Sequence, residues 1–189
     1  MKVTLAKTAG FCFGVQRAVD TVYRVLEEEH GKPAGEQRSI YTYGPIVHNE
    51  TVIQKLSAEG VRVLESEEEL ATLRDGIVII RAHGVPKHIY ELLEAQRVEA
   101  VDASCPFVQK IQRLVQQHTA AGEEVFVTGN PEHPEVVGIM GWAEGVISAI
   151  PDIETAEKLP NGEGRSVVVV SQTTFNIDKF KLIIDILKK

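Results

Sequence analysis

Apolar positions along this chain switch repeatedly between short strand-like runs and stripes at the helical period. Strand-like runs lie at residues 2–6, 40–43, 61–64 and 77–81, and again at 100–102, 124–128, 146–149 and 166–171, most of them bounded by polar or glycine-containing turns. Between them Val15, Val19, Val22 and Leu26 make one apolar helix face, and Val108, Ile111, Leu114 and Val115 make its counterpart. Ser66-x-x-Glu69 has the form of a capping box, and Asn49, Asp152 and Asn176 read as helix starts. Residues 27–38 are the wettest and least patterned stretch and read as a surface loop. Strands alternating with helices over short connections predict parallel sheets flanked by helices.

The pattern is written twice. Cys12-Phe13-Gly14-Val15-Gln16-Arg17 and Cys105-Pro106-Phe107-Val108-Gln109-Lys110 share Cys-x-x-Val-Gln-basic, and these are the only two cysteines. Gly44-x-x-x-His48-x-Glu50 matches Gly129-x-x-x-His133-x-Glu135. The run Ile77-Val78-Ile79-Ile80 leads to Arg81-Ala82-His83, as Val167-Val168-Val169-Val170 leads to Ser171-Gln172-Thr173. The three anchors recur in order, so the chain reads as a duplication of roughly 90 residues, the scale of a small α/β layer rather than of a solenoid repeat. The expected fold class is α/β: two tandem four-stranded, mostly parallel units, residues 1–98 and 99–189. No proline- or glycine-rich linker separates them, so 97–99 is a tight join and the two layers pack together.

On this map Cys12, His48, His83, Cys105, His133 and Thr173 each fall just after a strand and at or before the next helix. That places all six at the carboxyl edge of a sheet, where open α/β folds bind ligands. Helix N-termini there present free N–H groups and the positive dipole end, which favour thiolates and phosphates alike. The duplicated context favours metal or cluster ligation by the two cysteines over two small buried hydrophobes. Glu135 and Glu50 each stand two residues after a site histidine, where a carboxylate either stabilises its helix start or supplies a proton. Thr173 and Thr174 either cap the helix near Asn176 or touch a ligand. His30, His88, His118 and the acidic run 65–69 receive no function.

Composition narrows the classes. A net charge of −7 without any basic run argues against nucleic-acid binding. No apolar run reaches the ~20 residues of a membrane span and no apolar signal region opens the chain, so no membrane partner and a cytoplasmic location are expected. Two cysteines so far apart do not make a disulfide framework. An anionic ligand would need a local pocket that attracts it against the overall field.

These residues resemble those of the LytB/IspH family of 4-hydroxy-3-methylbut-2-enyl diphosphate reductases. The phrases that carry the resemblance are Ala9-Gly10-Phe11-Cys12-Phe13-Gly14-Val15, Gly44-Pro45-Ile46-Val47-His48-Asn49, Arg81-Ala82-His83-Gly84-Val85, Asp102-Ala103-Ser104-Cys105-Pro106, His133-Pro134-Glu135-Val136-x-Gly138-x-Met140-Gly141 and Ser171-Gln172-Thr173-Thr174. They run in family order from one end of the chain to the other.

The resemblance implies the last step of the methylerythritol phosphate route to isoprenoids: reductive removal of a hydroxyl from an allylic diphosphate, giving isopentenyl and dimethylallyl diphosphate. It implies a 4Fe-4S cluster on three cysteines, one iron being left open to the substrate hydroxyl, and an electron donor of ferredoxin or flavodoxin type. Cys12 and Cys105 would be two cluster ligands; His48, His83 and His133 would line the diphosphate and hydroxyl pocket; Glu135 would lie on the proton path, with Thr173 and Thr174 in its network. Soft thiolates suit iron–sulfur iron, protonated imidazoles suit phosphate oxygens, and a departing oxygen needs a proton. The family is built of three α/β units about a pseudo-threefold axis. The repeat would put a third cysteine at about position 198, so the third unit is expected to be missing here, the chain to be truncated and inactive alone, and its exposed flank to self-associate. Two other readings stand beside this one: a zinc hydrolase or lyase using Cys12, Cys105 and histidines, and a non-catalytic scaffold that keeps only the fold.

Overall fold

The computed structural model describes residues 1–7, 9–159 and 166–188. In chain order the elements are α1 (Phe13–His30), β1 (Ile40–Tyr43), α2 (Glu50–Ala58), β2 (Arg62–Leu64), α3 (Glu67–Thr72), β3 (Ile77–Ile80), α4 (Lys87–Gln96), β4 (Glu99–Asp102), α5 (Pro106–Ala120), β5 (Glu124–Thr128), α6 (Pro134–Met140), β6 (Ile147–Ile150), α7 (Ile153–Glu157), β7 (Val167–Ser171) and α8 (Ile177–Leu187). Two sheets form, in the orders β2-β1-β3-β4 and β6-β5-β7. Every pairing in them is parallel. The α/β architecture and its repeat are those expected from the sequence.

Two strands depart from expectation. Residues 2–6 form no strand; Val3 and Leu5 are 81% and 84% exposed. A strand needs a neighbour to satisfy its backbone, and no described segment lies beside this one. The second departure is β4, expected at the head of the second unit. It pairs with β3, Ile77 opposite Glu99 and Ile80 opposite Asp102. The first sheet therefore has four strands and the second, among the described residues, has three. The division at 98/99 separates β4 from the sheet it completes.

Helix starts follow the local chemistry of the sequence. Asn49 accepts from the Val52 N–H at 3.1 Å, Asp152 from Thr155 at 2.8 Å, and Asn176 from Asp178 and Lys179 at 3.0 Å each. Ser66 accepts from Glu69 at 3.3 Å, but the Glu69 carboxylate reaches back one residue further than in a capping box, to the Glu65 N–H at 2.7 Å. The stretch 27–38 is not all loop: α1 continues to His30 and turns Glu29 inward, 2% exposed. Glu29 accepts from Lys32 at 2.6 Å and from Arg38 at 3.0 Å. The Lys32 bond first, then the Arg38 backbone N–H, hold its carboxyl down to about 2. Sequence pattern missed this because the polar partner of a buried acid arrives from outside the helix.

Each sheet is packed on both faces. In the first, α1 and α2 cover the side of Ile40, Ile77 and Ile79, whereas α3 and α4 cover Tyr41, Val78 and Ile80. In the second, α5 and α6 cover Val125 and Val127, while α7 and α8 cover Phe126. The halves meet through the β3–α4 connection. A Cβ on Gly138 would lie 3.3 Å from the Gly84 carbonyl carbon, and the Trp142 indole N–H donates to the Val85 carbonyl at 2.9 Å.

Candidate functional site

The carboxyl edges of the two sheets collect His48, His83, Cys105, His133 and Thr173; Cys12, expected there too, follows no strand and is brought near by the start of α1 against Cys105. Cys12 and Cys105 are the N-cap residues of α1 and α5, and neither spends its side chain on capping. Pro106 occupies the first turn of α5, where its missing N–H costs nothing. The two cysteine segments come together: a Cβ on Gly14 would stand 2.6 Å from the Cys105 sulfur. Gly14, two residues after Cys12, is therefore glycine because the second unit's thiol occupies the space a side chain would need.

Three imidazoles converge on the same edge. His83 lies 4.9 Å from His48 and 5.5 Å from His133 between ring centroids. His48 and His83 come from the first unit, on the loops after β1 and β3, and His133 from the second, as the N-cap of α6. The Nδ1 atom of His83 is buried without a hydrogen-bond partner among the described residues, as is Nε of Arg81. Leaving such a group unpaired costs about 1–3 kcal/mol, so buried polar orphans call for a ligand or water. Burial lowers the His83 pKa to about 4, helped by the positive charge that His48, His133 and Arg81 can carry. Burial likewise lowers that of Arg81. Arg81 is packed against the β1–α2 turn, where Gly44 adopts φ +69° and a Cβ would collide with the guanidinium. Together these groups form a partly buried, donor-rich cluster, with Glu65 the carboxylate whose charge acts on Arg81.

Glu135 closes the far side. It is 1% exposed, and its carboxylate accepts from the Thr173 N–H at 2.6 Å and the Thr173 hydroxyl at 2.8 Å. Its own N–H donates to His133 Nδ1 at 3.1 Å. Glu135 and Thr173 are thus one unit beside the histidines, and the capping alternative for Thr173 is taken by Asn176 instead. The Thr174 hydroxyl accepts from Gln172 Nε2 at 2.8 Å. Glu50 is exposed and accepts from Gln54 at 3.1 Å, so it stays outside the cluster. Of the histidines left without function, His88 pairs with Glu67 and His118 with Glu123.

The structure also adds residues that sequence reasoning passed over. Arg17, the basic residue of the first Cys-x-x-Val-Gln-basic phrase, donates to the Ser104 carbonyl at 2.5 Å, next to Cys105. Asp102 accepts from the Ser104 N–H at 2.8 Å and from Gln109 at 2.9 Å, and the Cys105 N–H donates to the Ala82 carbonyl at 2.9 Å. The loop carrying the second thiol is therefore fixed from α1, from α5 and from the loop that carries His83. The repeat held the signal, since the basic position recurs; in the second phrase Lys110 is exposed.

These donors fit an iron–sulfur group in kind and fall short of it in number. The sulfurs are soft, uncommitted ligands at positive helix ends. Among the described residues, however, no group of three or more His, Cys, Asp and Glu could hold a metal ion. The same shortfall faces zinc, since Cys12, Cys105 and a histidine do not gather into one such group.

Comparison with known proteins identifies the family. The family model described as LytB protein matches residues 3–189. Two curated relatives named 4-hydroxy-3-methylbut-2-enyl diphosphate reductase are 42% identical over 189 residues in Thermoanaerobacter sp. (strain X514) and 40% over 190 in Geobacter metallireducens. Both alignments cover 100% of this chain, but only 62% and 63% of the relatives. The solved reductase from Plasmodium falciparum superposes with a TM-score of 0.84 at 31% identity, covering 96% of this chain and 54% of that one. A solved (E)-4-hydroxy-3-methyl-but-2-enyl diphosphate reductase, titled the terminal enzyme of the non-mevalonate pathway, gives 0.82 at 33%, covering 98% and 63%. The chain spans a little over three fifths of the length of the curated relatives it matches. A match across nearly the whole sequence, over the same phrases that build the cysteine and histidine cluster, places this chain in the LytB protein family.

Proposed function

We propose that this chain carries the substrate pocket and two cluster ligands of a reductase that removes the hydroxyl of 4-hydroxy-3-methylbut-2-enyl diphosphate. The observation that carries the reading is the set of three imidazoles from two units around an unpartnered, buried His83 Nδ1. A diphosphate would give these groups acceptors, and its charge would favour protonation of a histidine that burial otherwise keeps neutral. His48, His83 and His133 would bind the phosphate oxygens and Arg81 would add positive field. Entry of the anion would exclude water from these groups and so strengthen each contact.

Glu135 would hold a proton at its carboxylate for the departing hydroxyl, with Thr173 fixing both its oxygens. A 4Fe-4S group, when bound, would supply the electrons that such a C–O cleavage consumes, and Cys12 and Cys105 are the residues that would hold it from this chain. A ferredoxin- or flavodoxin-type protein would be the donor of those electrons, and the cytoplasm the compartment. No described helix is long and apolar enough to cross a membrane.

Calorimetric titration of the chain with the allylic diphosphate tests the pocket. Binding is expected, and His133→Ala and His48→Ala should each weaken it about ten- to a hundredfold, the loss of a hydrogen bond to a charged group. Binding unchanged in both variants would refute the assignment.

A further inference from the structure

His83 belongs to the first unit, yet the second unit holds the backbone on both sides of it. The Ala82 carbonyl accepts from the Cys105 N–H at 2.9 Å. Three residues on, the Val85 carbonyl accepts twice, from the Trp142 indole N–H at 2.9 Å and from Gln112 Nε2 at 3.4 Å. Between those carbonyls Gly84 adopts φ +69°, and a Cβ there would meet Gln112 Nε2 at 2.5 Å. The left-handed turn and the close approach both require glycine, so the path of this loop is set by what α5 places against it.

Helix α6 presses on the same segment. A Cβ on Gly138 would lie 3.3 Å from the Gly84 carbonyl oxygen, and the Lys87 N–H donates to the Gly141 carbonyl at 3.2 Å. The start of α6 carries His133 and Glu135. One short helix therefore links the imidazole cluster to the loop that presents the middle ring of that cluster. Trp142, just past its end, is braced by Tyr90 of α4 with ring centroids 5.7 Å apart, and Gln112 is 3% exposed.

We propose that Trp142 and Gln112 are positioning residues for the diphosphate site: their hydrogen bonds to the Val85 carbonyl hold the loop so that the His83 ring stands between His48 and His133. The proposal rests on the reading of the three imidazoles as that site. Rings 4.9 and 5.5 Å from their neighbours leave little room for movement, and a binding constellation works only within about 0.5 Å of its productive geometry. Both residues act through the loop and not on the anion. Because they share one acceptor, either donor can partly replace the other, and their losses are coupled.

Two measurements on the whole chain test this: calorimetric titration with inorganic diphosphate, and proton NMR cross-relaxation between imidazole rings without ligand. Trp142→Phe removes the indole donor and keeps a ring against Tyr90, while Gln112→Met keeps the length of the side chain and removes its amide. Each is expected to weaken binding about threefold and the double variant about twentyfold, more than the product of the two. The cross-peaks between His83 and His133 ring protons should be lost in the double variant. Gln116→Ala, on the same helix and bonded to Glu144 at 2.8 Å, should leave both readings unchanged. Cross-peaks retained in the double variant overturn the proposal, as does native affinity once they are lost, since either result leaves only a structural tie. If the double variant does not fold, Trp142→Phe alone decides by the same two readings. A native chain that binds no diphosphate refutes the pocket reading instead, and the cross-peaks still decide whether Trp142 and Gln112 place His83.

Discussion

The phrase Gly-x-x-x-His-x-Glu occurs once in each unit, and its carboxylate ends in opposite environments. Glu50 is exposed and bonded to Gln54 of its own helix; Glu135 is 1% exposed and holds the loop after β7 through Thr173. The cause is a shift of one residue in helix start. Asn49 caps α2, so Glu50 is the first helical residue, whereas His133 itself caps α6 and Glu135 is the second. One residue of helical advance turns a side chain by about 100°, enough to move a carboxylate from water to the site. Duplication supplied the same letters twice, and the cap decided which copy entered the chemistry.

The same contrast holds for the sheets, and the largest expected effect lies there. Ile79→Ala on β3, at a side chain with no exposure, should cost about 2–5 kcal/mol of unfolding free energy. Its register equivalent on β7 is Val170, which is 8% exposed, and Val170→Ala should cost less, both read by urea denaturation. Equal costs would mean that β7 is as enclosed as β3. Next in size is the carboxylate pair. Glu135→Ala leaves the Thr173 N–H and hydroxyl without their acceptor and should destabilise by about 1–3 kcal/mol, while Glu50→Ala should stay within about 0.5 kcal/mol.

A third effect depends on pH. Free histidine protonates near 6.5 and His83 in the fold near 4. Between those values the unfolded chain holds more proton at this site, so its contribution to stability rises with pH from about 4 to about 6.5 and is constant above. His83→Gln should flatten that part of the profile. The smallest effect concerns the two thiols. Gly14→Ala forces the Cys105 sulfur away from a Cβ that would stand 2.6 Å from it, and should alter the rate at which Cys105 reacts with a disulfide reagent more than that of Cys12.

Much of this was legible in the sequence because repeated phrases mark repeated positions. The order of the anchors, the parallel sheets and the edge placement of His48, His83, Cys105, His133 and Thr173 all follow from where apolar runs stop and polar residues begin. What escaped was set by partners distant in the chain. Residues 2–6 have the alternation of a strand and lack the neighbour that makes one; residues 99–102 look like the start of a unit and complete the sheet before it. Glu29 reads as one more wet glutamate until Arg38 folds back on it. Arg17 could have been suspected from the repeated basic position, but its contact with Ser104 crosses between units, and period alone carries no information about that.

The central claim is that the three imidazoles form an anion site whose middle member is kept neutral until the anion arrives. Proton NMR titration of the histidine ring protons tests it directly, with and without inorganic diphosphate. In the free chain His83 is expected to titrate at about 4, and with diphosphate bound its midpoint should move upward by more than that of any histidine outside the cluster. A His83 midpoint that stays where it was, at diphosphate concentrations that saturate the chain, would contradict the account.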